Sequence, residues 1–169
     1  ALLSPETSPV ITQALVAGLE LVAGHRFQLG AGLSLPLRLV YTFTHAEFQT
    51  DFTSDNPQFG QVDQGDALPY VPVHQVTLHA SLEGTRWGVS VHGALVDEMR
   101  ETAGQGETEP SEVTDLQVML DVVARVEALP GVDGYLKVDN LLMTQGIVSR
   151  RPYGARPVKP FSVSVGFKL

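Results

Sequence analysis

From His74 to Glu83 apolar and polar residues alternate one for one. Val76, Leu78, Ala80 and Leu82 fall on one side, and Gln75, Thr77, His79, Ser81 and Glu83 on the other. Successive side chains of a strand point to opposite faces, so a period of two predicts a strand. The same alternation runs from Lys159 to Leu169, where Phe161, Val163, Val165, Phe167 and Leu169 oppose Ser162, Ser164, Gly166 and Lys168. Segments 35–48, 86–97 and 115–127 follow it, and 12–23 and 133–141 follow it more weakly. None of them shows the i, i+3, i+4 spacing of an amphipathic helix. The pattern predicts seven strands of roughly 9–14 residues, longer than the ~5–6 usual in soluble sheets and close to the ~9–11 of a tilted membrane strand.

The connections add a second pattern. Strands one and two are expected to be joined by a Gly-rich link from Gly24 to Ser34, and tight turns are expected near Glu83–Arg86 and Ala128–Val132. The other three connections, about 49–73, 98–114 and 142–158, are long and polar. In an up-and-down sheet alternate connections lie at the same end, so the short links fall on one side and the long ones on the other. Outer-membrane barrels are built this way. Period two alone also fits a soluble sandwich or lipocalin-like barrel with its apolar face inward.

Composition removes some classes. Nineteen acids against eleven bases leave a net charge of -8, which argues against a nucleic-acid partner. Without cysteine there are neither disulfides nor thiolate metal sites. No run approaches the ~18 apolar residues of a membrane helix. Ala1–Pro5 lacks the basic start and apolar core of a signal peptide, so a secreted protein carrying this sequence is expected to be processed or longer.

Four segments, in order and in register with the strands, carry a resemblance. They are Leu35–Leu37 with Tyr41–Phe48; Gly65-Asp66-Ala67-Leu68-Pro69-Tyr70-Val71-Pro72-Val73-His74-Gln75; Val138-Asp139-Asn140-Leu141; and Arg150-Arg151-Pro152-Tyr153-Gly154-Ala155-Arg156-Pro157. Together they resemble the end of a TonB-dependent outer-membrane receptor, nearest to the ferric-citrate and siderophore branch. The resemblance implies a Gram-negative outer membrane, a barrel of about 22 strands, a plug domain and uptake of a ferric chelate. It implies TonB as the energising partner, engaged through an N-terminal part missing from these residues, and the barrel-assembly machinery as a further one. On that reading residues 1–169 are the C-terminal portion of the barrel, with the plug and earlier strands absent. The final strand, Phe161, Val163, Val165, Phe167 and Leu169, would be the assembly signal, although such signals commonly end on an aromatic residue. A soluble small-ligand barrel or sandwich and a passive porin are the competing readings.

Arg150, Arg151 and Arg156, with Tyr153 between them, form a basic cluster in an acidic chain. Guanidinium forks suit carboxylates and phosphates, so the cluster is a candidate ligand contact or a set of salt bridges. Tyr70, bracketed by Pro69 and Pro72, is a weaker ligand candidate, because proline before a strand is ordinarily punctuation. Segment 97–115 carries seven acids and one base, Arg100, with no EF-hand spacing, and reads as a solvated loop. His74 and His79 fall on opposite faces, and His25, His45 and His92 complete no zinc pattern, so no metal or cofactor is expected. No G-x-S-x-G or cysteine nucleophile is present, and the Gly104–Gly106 pair sits in an acidic loop, so no catalytic residue is assigned. Tyr41 and Trp87 are candidates for an interfacial aromatic belt. Arg38, Asp121, Arg125 and Lys137 are the test of sidedness, with Arg38, Asp121 and Arg125 expected to face a lumen.

Overall fold

The computed structural model describes residues 12–150 and 154–168. Its elements, in chain order, are β1 (Ala14–Gly30), β2 (Leu33–Phe48), β3 (Phe52–Thr53), β4 (Gln61–Val62), β5 (His74–Glu83), β6 (Trp87–Val96), a 3-10 turn (Pro110–Glu112), β7 (Gln117–Leu129), β8 (Val132–Asp139), β9 (Ile147–Ser149), β10 (Arg156–Pro157) and β11 (Ser162–Lys168). There is no α-helix among the described residues. Seven strands form one antiparallel sheet in the order β1-β2-β5-β6-β7-β8-β11, while β3–β4 and β9–β10 are small hairpins inside the long connections. Every neighbour in the large sheet is a neighbour in the meander, the up-and-down order expected with the connection pattern.

The expected link between the first two strands is not a link. Residues 24–34 continue β1 and β2 down to a tight hairpin at Ala31 (φ 50°) and Gly32 (φ 75°). Two consecutive left-handed residues match the right-handed twist of the flanking strands. Glycine is ordinarily loop punctuation; within β1 it permits close backbone approach. A Cβ on Gly18 would stand 2.7 Å from the Phe43 carbonyl oxygen, and one on Gly24 3.3 Å from that of Leu37.

The seven strands form an open sheet, with β1 and β11 at its edges. An odd number of meandering strands makes the first and last run in the same direction. The sheet therefore cannot close on itself through an antiparallel pair.

Deeply buried residues lie mostly at the long-connection end. Phe48, Phe52 and Phe59 meet edge to face or tilted at 5.2–6.3 Å, and Val62 beside them is wholly buried. Asn140 ends β8 in a left-handed conformation (φ 50°) and is buried. Its backbone N–H donates to Asp121 Oδ1, its Nδ2 donates to the Thr144 and Lys159 carbonyls, and its Oδ1 accepts from the Thr144 N–H, all at 2.9–3.0 Å. This one side chain anchors both ends of the connection that delivers β11. Asn140→Ala keeps the strained backbone while orphaning buried polar groups, and should cost about 2–4 kcal/mol. Denaturant unfolding of the two proteins checks this; a difference below about 0.5 kcal/mol would contradict the anchoring role.

Candidate functional site

Register decides which side chains share a face. Across the sheet, Leu39 stands opposite Leu78 and Leu78 opposite Gly93, followed by Leu120. One step lower Leu37, Ala80, Val91, Val122, Val138 and Val163 form an unbroken row. One step below that run Phe27, Leu35, Leu82, Val89, Ala124, Leu136 and Val165. Most of the large apolar residues of the seven strands thus lie on one face, with Val22, Val40, Met119 and Val123 among the exceptions on the other. Among the described residues no second layer packs on the apolar face. Leu21 is 54%, Leu78 42%, Val165 70% and Phe167 73% exposed. A contiguous apolar surface on this scale marks an interaction face rather than ordinary surface. His25 interrupts it, edge-on to Phe27 with ring centroids 4.4 Å apart.

Aromatic side chains sit towards the two ends of this face. Trp87 and Phe167 stand at the tight-turn end, with Phe27 one step above. Tyr41, Phe43 and His74 group at the other, where Tyr41 Oη and His74 Nδ1 are 2.9 Å apart. Aliphatic rows occupy most of the middle.

The opposite face is polar and largely cross-linked. Arg26 reaches Glu83 at 2.7 Å and Ser34 at 3.0 Å. Ser81 and Ser90 hydroxyls meet at 2.8 Å. Lys159 bridges Asp121 (2.5 Å) and Asp139 (2.8 Å), and Lys137 also reaches Asp139 at 3.0 Å. Partial burial alone would push the Lys159 ammonium down, but the two carboxylates hold it above its ordinary value. Arg38, Asp121 and Arg125 belong to this face, as the alternation places them, and the register adds Lys137.

The long connections knit into a cap at one end. Phe48 and Ala46, which point to the polar face, are buried by it. Ala67 bridges both Glu47 and Gly104, and Arg100 bridges Val113. Tyr70, held at φ 59°, donates its N–H to the Arg100 carbonyl. It is therefore a backbone pivot between two loops. A cavity of about 140 Å³ lies below, between Thr44–Glu47, Leu68, Val73 and Arg100. A more open cleft of about 580 Å³ adjoins it, lined by Asp97, Glu98, Arg100 and Glu107.

Within the basic cluster, Arg150 Nη1 pairs at 2.9 Å with Glu101, a buried carboxylate in the neighbouring loop, and also donates to the Val113 carbonyl. Arg156 stands opposite Ser149 on β10, exposed. Arg151, Tyr153 and Leu169 lie outside the described residues. Phe161, Val163, Val165 and Phe167 share the apolar face at the free β11 edge. The residue that sequence reasoning passed over is Arg100, which lines both loop cavities; its signal was being the lone base among seven acids in 97–115.

No protein-family model, no curated protein and no solved structure matches the chain.

The Arg150–Glu101 pair ties the last long connection to the middle one. Removing one partner strands a buried carboxylate, so Arg150→Ala should loosen the cap by about 2–4 kcal/mol and increase protease nicking within 97–115. The double change Arg150→Leu with Glu101→Leu should restore much of the resistance. Unchanged nicking in the single variant would show that the pair holds nothing together.

Proposed function

We propose that this chain is part of the membrane-spanning wall of an outer-membrane receptor, TonB-energised, that takes up an iron chelate. The observation that carries the membrane part is the uncovered apolar face, continuous over all seven strands, with long connections at one end and tight turns at the other. A soluble sheet needs a second layer over such a face; lipid acyl chains serve equally.

Dimensions support this. On β2 the apolar stretch from Leu33 to Phe43 spans roughly 33 Å along the strand. At the ~35–45° tilt of barrel strands that is roughly 25 Å of bilayer, the height of the usual apolar band. The end-placed Trp87, Phe167, Tyr41 and Phe43 fit interfacial girdles. Strand parity supports it as well. Seven strands taken from an even-numbered barrel leave an odd number, which is what antiparallel closure between β1 and β11 requires.

The receptor class and the iron-chelate ligand rest on the four motif segments. In that reading the polar face lines the lumen and the capped loops face outward. Arg156, Arg151 and Tyr153 remain ligand candidates there, Tyr70 acts through the loop it shapes, and Arg150 is engaged by Glu101. TonB and the barrel-assembly machinery are the partners this function would require.

Leu120→Arg and Val163→Arg place a cation at the middle of the apolar face. Each should cost roughly 2–4 kcal/mol of insertion and deplete the protein from the outer-membrane fraction, while Thr77→Arg on the polar face should not. Normal membrane assembly of both apolar-face variants would remove the membrane reading. Growth on ferric citrate that depends on the intact protein should collapse when the inner-membrane proton gradient is dissipated; gradient-independent uptake would make the protein a porin.

A further inference from the structure

One row of the polar face stands apart from its neighbours. In register across four strands it reads Arg38, His79, His92, Asp121, from β2, β5, β6 and β7. Arg26, Lys137 and Lys159 on this face are paired with carboxylates, and Arg86 pairs with Glu127 at the turn end. Arg125, which holds no ion pair among the described residues, stands two rows nearer the turns in the field of Glu83. Arg38, His79 and His92 hold no ion pair or side-chain hydrogen bond among the described residues, and all three are exposed.

The two imidazoles stand close by construction. Gly84 N–H to Trp87 O (2.9 Å) and Asp97 N–H to His74 O (3.0 Å) fix the hydrogen-bonded pairs at the two ends of the β5–β6 ladder. Bonded and non-bonded pairs alternate between them, so His79 and His92 occupy a non-hydrogen-bonded pair, as Ser81 and Ser90 do two residues further. Such partners have Cα atoms only ~4.5 Å apart. Arg38 flanks His79 with its permanent charge. Asp121 flanks His92, but its two oxygens accept from the Asn140 N–H and from Lys159. Ser81 and Ser90 close on each other towards the turn end, and Thr77 and Ala94 border the pair on the loop side. Glu83, the nearest further carboxylate on β5, is held by Arg26.

We propose that Arg38, His79 and His92 form an anion-binding site on the polar face, taking a carboxylate-, sulfate- or phosphate-type group and tightening as pH falls. The guanidinium offers a fork of donors at any pH. The histidines add two more donors, and charge, only when protonated, and histidine is the side chain that ordinarily does so between pH 5 and 8. A bound anion relieves the repulsion between two imidazolium rings and the neighbouring arginine. The same arginine, with the Asp121 carboxylate already occupied, disfavours a metal cation. The site does not depend on what covers the apolar face.

Sulfate is the probe, because its own charge is constant from pH 5 to 8. The intact protein, purified in detergent, is titrated with sulfate at pH 5.5 and pH 8. Affinity should be about tenfold or more higher at pH 5.5. His79→Gln with His92→Gln should abolish that difference, and Arg38→Gln should weaken binding at both pH values. By reciprocity, the His79 and His92 imidazole resonances should titrate at higher pH in sulfate than in chloride. Equal affinity at the two pH values, or a pH dependence that survives the double histidine change, overturns the proposal. So does nickel binding to the wild type with no response to sulfate.

Discussion

The fold rests on register. A strand shifted by one residue against its neighbour would turn every side chain to the other face. In this sheet six interstrand ladders all keep the same parity, so that Leu meets Leu or Val on one side and Arg, His, Ser and Asp meet on the other. The tight hairpin at Ala31–Gly32 and the short turns after β5 and β7 fix three of those ladders locally. The other three are fixed by packed connections, and Asn140 shows how: one buried amide holds the end of β8, the start of its loop and the approach to β11.

Given that register, the two faces follow, and so does an imbalance. The polar face makes its own cross-strand contacts, with Lys159 serving two aspartates and Arg26 serving a glutamate and a serine. Beyond cross-strand neighbours, nothing covers the apolar face among the described residues. A sheet of this kind is completed by whatever covers that face, and its unpaired β1 and β11 edges ask for further strands. Lipid with barrel neighbours would meet both demands together, and so would further strands that close a soluble barrel over an inward apolar face. The cap at the long-connection end belongs to the polar side, since it buries Ala46 and Phe48 and leaves the apolar rows open.

Much of this was legible in the sequence. His74–Glu83 is recoverable residue for residue because its alternation is unbroken, and the sidedness of Arg38, Asp121 and Arg125 follows from the same count. What was lost has a physical cause in each case. Gly24 looks like a loop signal, but it lies within β1 where the β2 backbone leaves little room for a Cβ, as it leaves none at Gly18 inside the same strand. The cap was invisible because loop-to-loop bonds are non-local: nothing near Arg150 in sequence predicts Glu101, forty-nine positions away, and nothing near Tyr70 predicts Arg100. The His79–His92 pair is not legible along the chain, because only the β5–β6 ladder brings the two positions together. The receptor class was read from motif resemblance, and the fold neither adds to nor subtracts from that part.

The central claim is that lipid covers the apolar face, and Trp87, the sequence's only tryptophan, reports on it directly. Its fluorescence is measured against a Trp87→Phe control in vesicles of ordinary lipid and of lipid brominated along the acyl chains. The account predicts quenching by bromine near the headgroup end of the chains and protection from aqueous acrylamide. Full quenching by acrylamide, with no response to brominated lipid, would contradict it and put water or a protein layer where the bilayer is proposed.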